Sequence, residues 1–279
     1  MIKELKVNLY RIIRTKSFIV ISILLILGAL ISSVEIKFCV DDPFGIMDIL
    51  KQAATESSTT EADRESFDLI FRSLDEFRTV NNLSGVVRMM MCSDITCFLH
   101  CIFVALFVSS EYKSRFHVNH FSLNTRPEHI VFMEWLTLMI VIVLMEIVCY
   151  GVTLGLSILM CNSFHFDDGM RMLKYSSLAL GVIIAFASFS FMIAFLRKAG
   201  ALAIVLSSLF VFGVFDFVLG IISVWASWAG RFSLNNILSG ISVNAITSFD
   251  YMIGMGVVLL YVVIFAGIPI IVASKRDPY

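Results

Sequence analysis

The sequence predicts an all-α, polytopic membrane protein, and three observations lead to that fold class. Of its 279 residues, 58% are hydrophobic and only 15% are charged, whereas ordinary soluble domains average about 45–50% apolar and about 25% charged residues. The mean hydropathy of +0.90 agrees with this balance. The third observation is a series of apolar runs of about 20 residues, the length at which a helix crosses a bilayer. The composition also excludes disordered and collagen-like chains.

Six apolar runs are long enough to form membrane-spanning helices. They cover residues 17–34, 89–109, 133–160, 173–196, 201–225 and 251–273. Arg88 and Asp94 crowd the start of the second run. The fourth and fifth runs are separated only by the tetrapeptide RKAG at 197–200. This short polar connection predicts a tight hairpin at the membrane surface.

Basic residues are concentrated in four short segments beside the predicted spans. The N-terminus carries five, the connection between spans two and three carries three, and the hairpin and the C-terminal tail carry two each, which is 12 of the 21 lysines and arginines. With six spans, all four segments lie on one side of the membrane. Because Lys and Arg accumulate in cytoplasmic loops, we expect a multi-pass protein of the cell membrane with both termini in the cytoplasm.

A cleaved signal peptide is the rival interpretation of residues 1–34, which have a basic start and an apolar run. The run of 18 residues exceeds the usual length of about 7–15, and no A-x-A-like cleavage site follows it. An uncleaved first span is therefore favoured.

Residues 1–16 predict an amphipathic helix that lies in the inner membrane interface. Apolar residues recur at helical spacing, and Lys3, Lys6 and Arg14 occupy the other side. This arrangement would place the apolar face in lipid and the lysines toward anionic headgroups. A basic tail that serves topology alone is the alternative. The apolar positions are Ile2, Leu5, Leu9, Ile12 and Ile13.

The segment 35–88 is predicted to lie outside the membrane and is the largest soluble part of the chain. Residues 35–94 contain 12 acidic and 6 basic residues, a net charge of −6. This charge is typical of a solvated acidic surface, and it would also attract a cationic ligand. Cys39 and Cys92 stand at the two ends of the segment and could pair, but no redox compartment follows from this.

Signatures of catalysis are absent from the sequence. It contains no HExxH, GxSxG or metal-spaced His and Cys cluster, and the dipeptide Gly-Lys of a Walker A loop never occurs. We therefore expect no catalytic, cofactor-binding or metal-binding residues in this chain. Its net charge of −1 argues against nucleic acid as a partner.

Three ionisable side chains fall deep inside predicted spans: His100, Glu146 and Asp216. A charge at that depth costs several kcal/mol unless it is neutralised, paired or hydrated, so each is a candidate functional residue. His100 and Glu146 lie at similar depth on consecutive antiparallel spans, so they can form a pair. Such a pair could equally lock two helices together without a role in transport. Asp216 lies nearer the outer leaflet and could face a cavity or Arg231.

The connection between spans two and three carries a family resemblance. It reads SEYKSRF at 110–116, then NHFSL at 119–123 and RPEH at 126–129. A Glu-Tyr leading out of span two, a short helix and an arginine before span three resemble the ABC-2 type permease family, the membrane subunits of ATP-binding-cassette exporters. Glu134 stands where the family commonly has a lysine. The basic N-terminal helix and the apolar stretch 226–250, similar to the family's re-entrant outer helices, extend the resemblance along the chain.

The resemblance implies a single permease domain over 1–279 that dimerises with itself or a second permease. A separate cytoplasmic ATPase would bind the ATP and Mg²⁺ and would dock on the coupling loop, residues 110–132. Family members of this size often export amphipathic or cationic peptides, as in bacteriocin immunity. A secondary transporter or ion channel, and a membrane anchor or accessory protein, are the alternatives. The expected docking residues are Glu111, Arg115, Phe116, Phe121 and Arg126.

Overall fold

The computed structural model describes residues 2–41, 86–87, 90–91, 93–114, 126–160, 169–223, 229–243 and 248–275. Within these residues the chain is helical and contains no strand, which confirms the all-α prediction. The helices are α1 (Ile2–Arg14), α2 (Lys16–Asp41), α3 (Asp94–Lys113), α4 (Pro127–Met160), α5 (Gly169–Arg197), α6 (Gly200–Val211), α7 (Val214–Ser223), α8 (Leu234–Val243) and α9 (Ser248–Lys275), with a 3-10 turn at Ala229–Phe232.

Five of these helices are long and apolar enough to cross a membrane: α2, α3, α4, α5 and α9. The bent pair α6 and α7 would add a sixth crossing if the two helices together form one span. Several long apolar helices in one chain indicate a membrane-embedded protein.

The fifth predicted span is not one continuous helix, which corrects that expectation. α6 and α7 are bent by 47° relative to each other, and the break falls at Phe212 and Gly213. Gly213 has a φ of +83°, a conformation that side-chain-bearing residues rarely adopt. The sequence concealed this break because the residues on both sides of Gly213 are apolar.

Polar groups freed at the break find partners in the segment that follows. The Asn235 side chain of α8 donates a hydrogen bond to the Val211 carbonyl at 2.9 Å, close to the end of α6. Rings from three helices also surround the break, with Phe210 lying 4.7 Å from Phe189 and 5.0 Å from Phe215 between ring centroids. The bend is therefore fixed by hydrogen bonds and by aromatic packing.

α2 and α4 are the helices that extend furthest beyond their predicted limits. α2 continues past Val34 to Asp41 because Ile36, although it follows Glu35, is fully buried against the rest of the molecule. α4 begins six residues before the predicted start, at Pro127. Proline is favoured at the first position of a helix, where its missing N–H costs nothing.

α5 lies at the centre of the described helices and packs against α3, α6 and α9, while α4 packs against α1, α2 and α9. Small residues allow the close approaches, and Gly181 of α5 is one of them. A Cβ at this position would lie 2.9 Å from the Val258 side chain of α9. Gly151 and Gly155 of α4, by contrast, have nothing within 4 Å of their Cβ positions.

The predicted hairpin between the fourth and fifth runs is present. α5 ends at Arg197, Lys198 takes a positive φ of 53°, and α6 begins at Gly200. A Cβ at Gly200 would lie 2.8 Å from the Cβ of Ser109 and 3.1 Å from the carbonyl oxygen of Ala105. The hairpin therefore packs against α3 at backbone distance.

We expect Gly200→Ala to lower stability by about 1–3 kcal/mol, because the added methyl group overlaps backbone atoms that cannot move independently. Thermal unfolding in one detergent measures the effect. Gly151→Ala is the matched control, since it adds the same methyl group to a helix in open space and should be neutral or slightly stabilising. Equal unfolding temperatures for the two variants would contradict the close packing of the hairpin.

The N-terminal helix differs from its predicted placement. Ile12, assigned to a lipid-facing side, is only 1% exposed and belongs to the hydrophobic core. α1 packs against α4, so part of its apolar face is covered by protein rather than by lipid. Lys6 and Arg14 are exposed, as predicted.

Candidate functional site

One cluster of charged and aromatic side chains joins four helical elements at a single end of the helix bundle. We call it the Glu111 junction, and it consists of Arg11, Glu111, Tyr112, Glu134 and Lys198. Glu111 and Tyr112 lie in the last turn of α3. They belong to the Glu-Tyr pair from which the coupling loop, residues 110–132, was predicted to begin.

Arg11 of α1 forms an ion pair and hydrogen bond with Glu111. The side chain of Glu111 is only 7% exposed, and that of Arg11 is 23% exposed. Glu134 of α4 is buried and acts electrostatically on the same arginine. Burial lowers the pKa of Arg11 from its ordinary value, and the negative charge of Glu134 opposes that shift. The arginine thus places one cation between two buried acidic side chains.

Tyr112 connects the same end of α3 to the hairpin that follows α5. Its hydroxyl donates a hydrogen bond to the carbonyl oxygen of Phe195 at 3.1 Å, and the two rings lie 5.9 Å apart. The ammonium group of Lys198 lies 5.6 Å from the centre of the Tyr112 ring. A cation over an aromatic face is attracted to it electrostatically. Consecutive residues of α3 therefore hold α1 through Glu111 and the hairpin through Tyr112.

Of the other four predicted docking residues, only Arg126 lies among the residues that the structure describes. Arg115, Phe116 and Phe121 lie outside the described residues. Arg126 is described, is exposed and immediately precedes α4. The docking roles of all five residues stay predictions.

Cys92 and the side chain of Cys39 also lie outside the described part, as does most of the segment 35–88.

Sequence reasoning did not identify Arg11 and Glu134 as members of the site. Arg11 was counted only as a topology-determining charge, and Glu134 only as a departure from the family's lysine. One signal could have found Glu134, which is an acid at the start of an apolar run. The local pattern around Arg11 gives no such signal, since its short-range hydrogen bond, at 3.4 Å, is to the side-chain oxygen of Asn8 on the same helix.

His100 and Glu146 meet between α3 and α4, as their depths in consecutive spans predicted. His100 Nε2 lies 3.4 Å from Glu146 Oε1, and both side chains are fully buried. The distance is within reach of an ion pair, but the geometry does not meet hydrogen-bond criteria. The expected contact is present; the role of the pair in transport stays open.

The orientation of the imidazole follows from its second nitrogen. His100 Nδ1 lies 2.8 Å from the carbonyl oxygen of Thr96, and a carbonyl oxygen can only accept, so Nδ1 carries a hydrogen. In a neutral imidazole, Nε2 then presents a lone pair toward Glu146. A lone pair and a carboxylate would repel each other, so an imidazolium or a protonated carboxyl group suits this contact better than the neutral imidazole beside a carboxylate.

Asp216, the third predicted intramembrane residue, lies in the first turn of α7. Its Oδ2 accepts a hydrogen bond from Asn235 Nδ2 at 2.6 Å. The sequence had suggested a cavity or Arg231 as its surroundings, and the described contact is instead with an amide. Asp216 is not brought together with His100 and Glu146, and the same Asn235 also bonds the Val211 carbonyl. This arrangement gives Asp216 a role in holding the bent pair to α8.

Among the residues that the structure describes, no group of three or more His, Cys, Asp and Glu side chains could hold a metal ion. The expectation that this chain binds no metal or cofactor stays a prediction. Comparisons with family models, with curated proteins and with solved structures found no match. Functional assignment therefore depends on the residues of the site.

Proposed function

We propose that this chain is the membrane-spanning permease subunit of an ATP-binding-cassette exporter of the ABC-2 type. In this proposal both termini are cytoplasmic, the bent pair α6 and α7 completes a sixth span, and the chain pairs with a second permease. A separate cytoplasmic ATPase binds ATP and Mg²⁺ and docks on the coupling loop, residues 110–132.

The observation that supports the proposal is the Glu111 junction. A coupling loop must pass a movement of its partner to the spans, and this requires a stiff connection at the point where the loop leaves the membrane. Glu111 is joined to α1, and Tyr112 is joined to the carbonyl end of α5. A force applied to the loop beyond Lys113 would therefore act on several helices together rather than on α3 alone.

The charges at this end of the bundle suit a protein partner. Arg126 is exposed beside the start of α4, and Lys113 closes α3. Exposed charges of this kind fix register and orientation in an interface, while apolar side chains supply most of the affinity. In our proposal Phe116 and Phe121 are those apolar anchors.

The test compares the chain alone with the chain in complex. Purified and reconstituted by itself, the protein should not hydrolyse ATP. Purified from its native membranes with its ATPase, it should support hydrolysis. Phe116→Ala combined with Phe121→Ala should release the ATPase while the protein still inserts and elutes as the wild type does. ATP hydrolysis by the isolated chain, or uptake driven by a proton gradient without nucleotide, would overturn the proposal.

The buried pair of His100 and Glu146 supports a second candidate, a secondary transporter or ion channel. Two buried ionisable side chains in contact are one component of a proton path. Proton movement in vesicles that contain the purified chain and no nucleotide would favour this candidate over the exporter.

For the substrate, we propose an amphipathic or cationic peptide that is exported or cleared from the outer leaflet. The net charge of −6 over residues 35–94 supports this class, since an acidic outer segment attracts cations within a Debye length of about 8 Å. Deletion in the native host should raise sensitivity to cationic peptides or abolish peptide secretion. Unchanged peptide responses, together with altered tolerance to a neutral drug, would discard the peptide and leave the exporter class.

A further inference from the structure

An apolar groove of about 210 Å³ lies between α1, α2 and α4. Leu9 and Ile13 of α1, Phe18 and Leu25 of α2, and Val141 and Val148 of α4 form its walls. Nothing in the proposed exporter mechanism uses this space.

The groove starts at the connection between the first two helices. Ile13 and Phe18 both line it, and the residues between them form the elbow that joins α1 to α2. From Phe18 the lining continues along α2 to Ile26, a distance of about 12 Å at the helical rise per residue. The groove is therefore a narrow apolar channel with the elbow at one end.

The elbow is fixed in position and carries positive charge. Thr15 Oγ1 donates a hydrogen bond to the Ile12 carbonyl at 2.7 Å and accepts one from the Phe18 N–H at 3.3 Å. Arg14 and Lys16, on either side of Thr15, are both exposed. The Arg14 guanidinium lies 4.7 Å from the centre of the Tyr10 ring, and Arg14 directly follows the groove-lining residue Ile13 in the chain.

We propose that this groove binds one acyl chain of an anionic phospholipid, with the phosphate of the lipid between Arg14 and Lys16. The apolar walls match a hydrocarbon chain, and the two exposed cations at one end match a phosphate. The two cations would bind the anionic headgroup, and the adjacent apolar groove would bind the acyl chain that extends from it.

The dimensions favour a lipid chain over a polypeptide. A helix from a second copy of this chain has a diameter of about 10–12 Å with its side chains, so a helix lying along the roughly 12 Å of lined α2 would occupy several times the groove volume of about 210 Å³. An extended peptide would bring backbone N–H and C=O groups that the apolar walls of this groove cannot satisfy. A hydrocarbon chain brings none. The inference does not depend on the exporter proposal.

The experiment counts lipids that remain bound to the detergent-purified full chain. The protein is incubated with phosphatidylglycerol or phosphatidylcholine of identical acyl chains and is then washed with detergent to remove weakly bound lipid. The lipid that remains bound is measured by native mass spectrometry. The wild type should retain phosphatidylglycerol about tenfold better than phosphatidylcholine. Phosphatidylglycerol has a net negative charge, whereas the choline group of phosphatidylcholine cancels the charge of its phosphate, and each basic residue near an anionic headgroup contributes a several-fold preference.

Two kinds of variant separate the headgroup contact from the chain contact. Arg14→Gln with Lys16→Gln should remove the preference for phosphatidylglycerol and leave retention of phosphatidylcholine unchanged. Lys275→Gln is its control, because it removes an exposed lysine at the end of α9. Val148→Trp, which fills the groove, should lower retention of both lipids. Its control is Val263→Trp on α9, where the side chain is 67% exposed.

Each of these lipid-retention measurements either supports or overturns the proposed lipid site. It fails if the wild type retains both lipids equally, if the preference survives loss of Arg14 and Lys16, or if Val148→Trp retains phosphatidylglycerol as the wild type does. Variants are compared only when their size-exclusion profile and thermal unfolding match the wild type. If Val148→Trp does not fold, Ile26→Trp fills the groove from the opposite wall and must give the same loss.

Discussion

Replacing either His100 or Glu146 by leucine should destabilise the protein by about 3 kcal/mol, while replacing both should restore stability to within about 1 kcal/mol of the wild type. Each single change leaves the other polar side chain buried between α3 and α4 without its neighbour. The double change leaves an apolar contact of similar volume, which costs little. Thermal unfolding of the four proteins in the same detergent completes the cycle.

The same variants decide what the pair does. If it only locks α3 to α4, the double leucine variant in complex with the proposed ATPase should hydrolyse ATP at close to the wild-type rate. A double variant that is as stable as the wild type but inactive would contradict the lock and favour a proton path. A cycle in which the two single losses simply add would show that the side chains do not interact.

Replacement of Arg11 should have the second largest effect on the stability of the protein. Arg11→Gln removes the cation that lies between Glu111 and Glu134, and we expect it to lower stability by about 2 kcal/mol. This cost is below the range for a fully buried ion pair because the arginine is 23% exposed. Lys6→Gln, an exposed position on the same helix, should change stability by less than about 0.5 kcal/mol.

The ratio of export to ATP hydrolysis tests the role of Arg11 in a way that a stability measurement cannot. If the proposed exporter complex exists, Arg11→Gln should reduce its ATP-driven export more than its ATP hydrolysis, because the proposed coupling loop then moves without α1. Exchanging the charges, with Arg11→Glu and Glu111→Arg together, should recover part of the loss, although Glu134 then faces a second acid. If export and hydrolysis fall in equal proportion, the junction serves folding and not coupling.

The helices and the buried pair could be predicted because both depend on local pattern. A run of about 20 apolar residues marks a span wherever it occurs. Counting residues from the ends of two consecutive spans is enough to place His100 opposite Glu146. The expectation required only that the two helices be antiparallel neighbours, which a short connection makes usual.

Other features of the fold and the site could not be predicted, because they depend on contacts between residues that are far apart in the sequence. Arg11 and Glu111 are 100 residues apart in sequence, so neither identifies the other. The break at Gly213 lies within an apolar run, and glycine is tolerated in membrane helices. The continuation of α2 to Asp41 includes Ile36, which is fully buried, and no local pattern records that burial.

Asn235 has a consequence for how the chain is made. Synthesis proceeds from the N-terminus, so α6 and α7 leave the ribosome before the amide that bonds the Val211 carbonyl and Asp216 exists. In hydrocarbon, polar groups without partners cost several kcal/mol each. The bent pair therefore becomes stable in lipid only when the segment carrying Asn235 has followed it out. A nascent chain that is stalled before residue 235 would therefore carry α6 and α7 without the side chain that bonds the Val211 carbonyl and Asp216, and the cell's quality control could recognise these exposed polar groups.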